Sequence, residues 1–311
     1  MGRQSLSVSV LAAALLLGAC GMSWAQTGDP IAMERATERA IALGKTGELS
    51  DALAVLEPHL SQPSPASAKA CYVAGFLLKE RFKRDALNQP KIAAVDRADA
   101  VRWLQLSLEL DNRDGTKAEW QSSATKALKY LGGTYYDEAA GGVRTFQPGN
   151  ESEIFALLDA HIAVARFLDP SVDATDERTA FHKNLARAYR QWFESTQNPD
   201  HFEGVVAQYE QALDLSPRDV TATYNLAVNI YNRGVELIKS VDETTSLGEI
   251  IGIQEQSAAY FLQALPWFER ADALEPGRRE TLRGLMIVHH ALFDDAQAEA
   301  YRVKLQNVLG Q

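Results

Sequence analysis

Cysteine is scarce in this chain: the 311 residues hold two, Cys20 and Cys71. Cys20 sits at the end of an apolar N-terminal run and is either lipidated or removed on export, so no intrachain disulfide is expected. Cys71, in ACYVAGF, reads as a small buried apolar residue. Positive charge is also in deficit. Lys and Arg number 31 against 41 Asp and Glu, a formal charge of −10. That balance counts against nucleic acid or an anionic membrane surface as the main partner, because both need a positive field. Beyond the first 25 residues no apolar run approaches the ~20 residues of a membrane-spanning helix. Period-two alternation is missing as well, which leaves essentially no sheet to expect.

Catalytic spacings are missing too. There is no HExxH, no GxSxG and no paired CxxC. Gly44-Lys45-Thr46 looks like the end of a phosphate loop, but that motif needs glycine where Arg39 stands and a strand before it. His289 and His290 are adjacent, so on a helix they point about 100° apart and cannot share a metal; one is expected to face the core and the other solvent. Asp111 to Gly115 fails as a calcium loop, with Leu110 at the first ligand position and no closing glutamate. No cofactor, metal or catalytic residue is assigned, and no enzyme is expected.

Residues 1–25 carry the pattern of an export signal: Arg3, an apolar run from Leu6 to Gly18, then small residues. Two cleavage sites compete. Leu17-Gly18-Ala19-Cys20 resembles a bacterial lipobox, with Cys20 acylated, and Ser23-Trp24-Ala25 before Gln26 resembles an ordinary signal-peptidase site. The lipobox is favoured because a rare cysteine sits where acylation needs it. Gly21, rather than aspartate, then favours the outer membrane. The expectation is an exported, periplasmic protein that meets the membrane only through this anchor.

The remainder reads as helices punctuated by glycine and proline. Ile31 to Leu43 has helical apolar spacing, Gly44 to Gly47 breaks it, and Leu49, Ala52, Leu53 and Leu56 form a second face ending at Pro58 and the loop Ser61 to Pro65. Further helices are expected at Ala68 to Phe82, Ala94 to Leu110, Ala124 to Tyr136, Ile154 to Phe167, Thr175 to Phe193, around Tyr209, Ala222 to Val241, Ala258 to Leu274, Thr281 to Leu292 and Asp294 to Leu309. Ala139 to Asn150 reads as a loop, with Asn150 and Glu153 as a capping pair for the next helix. Asp242 to Ile251 reads as an insertion.

Tyr209 to Ile230 sets the pattern. Tyr209, Ala212, Leu213 and Leu215 share one face, Ser216-Pro217 stops it, and Tyr224, Leu226, Ala227 and Ile230 resume it. With Leu131, Gly132 and Tyr135, and with Phe268, Ala271 and Glu275-Pro276, this resembles the tetratricopeptide (TPR) repeat family. The resemblance implies an all-α, right-handed solenoid of antiparallel hairpins over residues 31–309. Asn112, Pro170, Pro217 and Pro276 follow one another at 58, 47 and 59 residues, against ~34 for a standard repeat, so the repeats carry insertions.

First helices of TPR proteins line the concave surface, and the resemblance therefore places certain side chains in a groove. Lys183, Arg187 and Arg190 fall at i, i+4 and i+7, and Lys126 and Lys129 occupy the earlier first helix. Asn184, Tyr224, Asn225 and Tyr231 join them, with Tyr136 a further candidate contact. Tyr135, Tyr189, Tyr209 and Phe268 are assigned to the core. A positive groove on an acidic protein suits a protein or peptide with an acidic or carboxylate end; the alternative is a solvated face that pairs with nearby Asp or Glu. Two functions remain open: an envelope scaffold, or a solute-handling lipoprotein resembling the T-components of TRAP transporters.

Overall fold

The computed structural model describes residues 29–60, 67–111 and 120–310. The signal segment with Cys20, the loop Ser61 to Pro65 and most of the segment Asp111 to Gly115 lie outside the described residues. Those described form α-helices joined by short turns, with no strand among them. In order they are α1 (Pro30–Thr46), α2 (Leu49–Leu60), α3 (Ala68–Asp85), α4 (Pro90–Asp111), α5 (Gln121–Arg144) and α6 (Glu151–Leu168). Next come α7 (Thr175–Thr196), α8 (Pro199–Leu215), α9 (Val220–Lys239), α10 (Leu247–Leu274), α11 (Arg279–Ala291) and α12 (Asp295–Leu309).

Consecutive helices pair as six hairpins, and each hairpin stacks on the next. α1 touches α3, α3 touches α5, α5 touches α7 and α9 touches α11, which makes the odd-numbered helices one layer. Most second helices also pack on the following first helix, as in α2 with α3, α4 with α5, α8 with α9 and α10 with α11. The result is an all-α solenoid of TPR-like hairpins. Its apolar faces are hidden only by neighbours, so stability is shared along the stack.

Local chemistry sets the helix ends. Gly47 adopts φ 87° and closes α1, its N–H donating to the Gly44 carbonyl, while Glu48 N–H donates to the Leu43 carbonyl at 3.0 Å. Asn198 caps α8 ahead of Pro199, and Asp219 caps α9. Gly44, expected in the turn, lies inside α1 instead; a Cβ there would stand 2.6 Å from Leu77 Cδ2 of α3.

Three segments differ from the sequence reading. Of the expected loop Ala139 to Asn150 only Thr145 to Asn150 is one, because α5 continues to Arg144 with Gly141 and Gly142 inside it. The bare Gly142 lets α6 approach: a Cβ there would meet Ile154 Cγ1 at 2.8 Å. The Asn150–Glu153 pair does not form. Asn150 makes no side-chain cap, and the Glu151 carboxylate accepts from Gly149 N–H instead. The insertion after α9 is short, because Ser246 and Glu249 build a reciprocal capping box that starts α10 at Leu247.

The core runs between the two layers. Leu104, Leu128, Leu131, Leu158, Leu185, Leu226 and Ile230 are fully buried. Tyr135, Tyr209 and Phe268 are buried with them, and Tyr189 is half-buried against Phe146. Cys71 has no exposed surface, and burial pushes its thiol up to about 11. Some polar groups in this core are paired, while the Ser257 and Thr281 hydroxyls have no hydrogen-bond partner among the described residues. Arg81 grips the buried Asp96 with two hydrogen bonds of 2.7 and 2.5 Å, and the Arg97 guanidinium lies over the Tyr135 ring at 3.9 Å. His289 is buried and stacks on Tyr301, while His290 is exposed.

Candidate functional site: a groove between the third and fourth hairpins

The layer of first helices is tied across its junctions by charged side chains. Lys69 of α3 reaches Glu34 and Glu38 of α1 at 2.8 and 2.5 Å. Lys83 of α3 lies over the Tyr130 ring of α5, and Arg278, at the head of α11, lies over Tyr224 of α9. Between α7 and α9, Lys183 binds Asp219 at 2.7 Å and Arg190 binds Glu236.

The α5–α7 junction is built differently. Among the described residues it holds no ion pair; Tyr136 meets Phe181 edge-on at 5.7 Å, and His161 of α6 also packs against Tyr136, with centroids 5.3 Å apart. Rings fill the contact between α5 and α7 here, and α6 and α7 lack the close backbone approach made at the other second-to-first junctions. That spacing leaves an open groove of about 440 Å³. From α5 it takes Tyr136, Ala140, Val143 and Arg144; from α7 it takes Phe181, Asn184, Arg187, Ala188 and Gln191. It runs on into a second hollow of about 200 Å³ that adds Phe146, Trp192 and Ser195.

The charge here is uncompensated. Among the described residues neither Arg144 nor Arg187 pairs with a carboxylate, although Lys183, Arg190 and Arg178 around them do. Arg144 lies back over Gly141, 3.6 Å from where a Cβ would be. Arg187 stands beside the Tyr209 hydroxyl; burial raises that phenol and the guanidinium partly offsets the rise. Asn184 and Gln191 are exposed and make no hydrogen bond among the described residues. Such a surface can hold a carboxylate by charge-assisted bonds and a peptide backbone through its amides.

The residues picked out from sequence divide into two groups. Lys126 and Lys129 are exposed on the α5 face that also carries Tyr136, and neither has a carboxylate partner among the described residues. Asn184 and Arg187 line the groove. Lys183 and Arg190 turn toward α9 and are engaged by Asp219, and by Glu236 and Glu194, respectively. Tyr224 is half-buried against Phe268, and Tyr231 lies tilted against Phe261 with centroids 5.0 Å apart. Asn225 is half-buried, its carbonyl accepting from Asn229 Nδ2. Arg144 and Gln191 were not singled out from sequence. The signal for Arg144 was its place 18 residues after Lys126, five full turns at 3.6 residues each, hidden because Gly141-Gly142 read as a helix break.

The hairpin packing defines the class of this protein, a TPR-like helical-repeat solenoid. No family model matches the chain, and no curated protein does. Among solved structures it is similar to a crystal structure of MamA protein, at 13% identity and a TM-score of 0.31, over 76% of this chain and 91% of that one.

Proposed function

We propose that the chain is an exported, non-enzymatic scaffold that holds a protein or peptide segment on its layer of first helices, in the α5–α7 groove. Residues 1–25 act as the export signal and residues 31–309 as the repeat domain, with lipid on Cys20 anchoring it to the outer membrane, facing the periplasm. One observation carries the binding reading: two guanidiniums without carboxylate partners line a groove on a protein of charge −10. Leaving cations unpaired in an acidic molecule forgoes attraction that neighbouring lysines and arginines obtain, and a ligand carboxylate supplies it. The groove is open along its length, which favours the scaffold over the solute-handling alternative, for which an enclosed pocket is needed.

Site-specific photo-crosslinking in cells tests this. A photoreactive residue in place of Asn184 is expected to trap a discrete protein, and Arg144→Glu with Arg187→Glu to abolish the adduct. The same probe in place of Glu210, on the exposed face of α8, is the control. Equal trapping at both positions, or no change in the double variant, would dismiss the groove. Mass spectrometry of the mature N-terminus tests the anchor separately, since a peptide beginning at Gln26 leaves no acylated cysteine.

A further inference from the structure

Resting on that reading of the groove, we infer that its occupant is a second copy of this chain, which places the acidic tip of its α9–α10 hairpin between α5 and α7. Charge is divided unevenly along the sequence. Residues 26–150 hold 16 acidic and 16 basic side chains, while residues 151–311 hold 25 and 14, so the second part alone carries −11. Its free anions gather in one place. Among the described residues Asp242, Glu243, Glu249 and Glu255, around the turn from α9 to α10, pair with no lysine or arginine, just as Arg144 and Arg187 pair with no carboxylate. Asp242 and Glu249 accept hydrogen bonds from their own turn, which hold both carboxyls below their ordinary values and keep them ionised.

The tip stands clear of its neighbours. α10 has 28 residues, against 17 in α8, 13 in α11 and 15 in α12. Phe202, three residues into α8 from Pro199, meets Tyr260 edge-on at 5.8 Å, so α8 begins level with about Ser257 of α10. The α10 residues before that point reach about 15 Å beyond it, at 1.5 Å per residue. On the other side α11 runs back along α10, brings Gly284 against Phe268, and ends at Ala291, level with about Phe261. Leu247 and Ile251 are exposed on the projecting part, beside the acids.

Within one chain tip and groove are kept apart. α7 lies between them: one side of it borders the groove, and the other is tied to α9 by the Lys183–Asp219 and Arg190–Glu236 pairs. A neighbouring molecule meets no such barrier. Two acidic chains repel over most of their surfaces, so contact is favoured where uncompensated cations of one face uncompensated anions of the other. The groove offers both kinds of contact that the tip can use: guanidiniums for its carboxylates, and the walls of Val143, Phe146 and Trp192 for its exposed apolar side chains. Trp192 is fixed in advance, its indole N–H donating to the Phe146 carbonyl at 2.8 Å. Tip and groove are different patches, so the contact is heterologous, and each chain can both give a tip and take one.

Sedimentation velocity of the mature chain tests this with no other ligand present. The weight-average mass is expected to exceed that of one chain and to rise with concentration, and the association to weaken at least about tenfold between about 50 and about 500 mM salt. Arg144→Glu with Arg187→Glu, and separately Glu243→Lys with Glu255→Lys, are each expected to stay single chains. An equimolar mixture of the two double variants is expected to associate again, because each then meets the opposite charge on the other. Circular dichroism shows whether the variants keep the fold; if the arginine variant does not, Arg144→Gln with Arg187→Gln replaces it and is expected to remain a single chain. A single-chain mass at every concentration, association indifferent to both variants, or a mixture that stays apart overturns the contact between copies. If a photoreactive residue in place of Asn184 still traps a different protein in that event, the scaffold stands without self-association; if it traps nothing, both are lost.

Discussion

Lys183 and Asp219 are joined by a 2.7 Å ion pair, and the other oxygen of that carboxylate caps α9 by accepting the Ala222 N–H at 2.8 Å. One side chain thus starts a helix and ties it to the helix before, and a lysine that sequence spacing offers to a ligand becomes part of the frame.

Asp219→Ala is expected to destabilise the fold by about 1–2 kcal/mol, mainly through the lost cap. Lys183→Ala, which removes only a partly exposed ion pair, is expected to cost under about 1 kcal/mol. Urea unfolding of the two single variants and the double variant separates the contributions. A larger loss for Lys183→Ala would show that the ion pair, and not the cap, holds α9.

The same carboxylate gives a pH dependence of known sign. Burial alone pushes Asp219 up, but the Lys183 ammonium and the Ala222 N–H outweigh it and hold the group below its ordinary value. Its stabilising contribution is therefore full above the ordinary carboxylate range and is lost as pH falls through the depressed folded value. The stability gap between the natural chain and Asp219→Asn should narrow on acidification. A gap that widens there would contradict the assignment.

Two glycines of α5 should respond oppositely to alanine. At Gly142 a Cβ meets Ile154 Cγ1 at 2.8 Å, and overpacking of this kind costs about 1–3 kcal/mol. At Gly133 nothing lies within 4 Å, so the gain in helix propensity, about 0.5–1 kcal/mol, is unopposed. Thermal melts of Gly142→Ala and Gly133→Ala should move down and up respectively; stabilisation by both would mean that the α5–α6 approach is looser than described.

Cys71 should be silent in the native state. With no exposed surface and its thiol pushed up to about 11, it presents almost no thiolate at pH 8. A chain with Cys20→Ser should react with an aromatic disulfide reagent only after denaturation. Prompt labelling in buffer would place α3 in frequent local opening.

Most of the helical hairpins were legible because their signals are local. Tyr209, Ala212 and Leu213 before Ser216-Pro217 state a buried face and its end within a few turns, and the structure buries all three. The α5 boundary was not legible in the same way. Glycine is a poor helix former by itself, and only the approach of Ile154 from α6 shows why Gly142 is kept inside a helix. α4 and α10 begin at Pro90 and Leu247, earlier than the apolar pattern predicts, since Ile92, Leu247 and Ile251 in their first turns face solvent and do not extend a buried stripe.

The sequence by itself determined the architecture: apolar faces at helical spacing, interrupted by glycine and proline, can leave water only by stacking hairpin on hairpin. Which cations stay free was decided by tertiary structure. Lys183, Arg187 and Arg190 share one helical spacing, yet Asp219 and Glu236 arrive from α9 to take the first and third, while the α5 side chains beside Arg187 are Tyr136, Ala140, Val143 and Arg144, none of them a carboxylate. Periodicity is a property of one helix, whereas the partner of a charge is set by whichever neighbour the packing brings beside it.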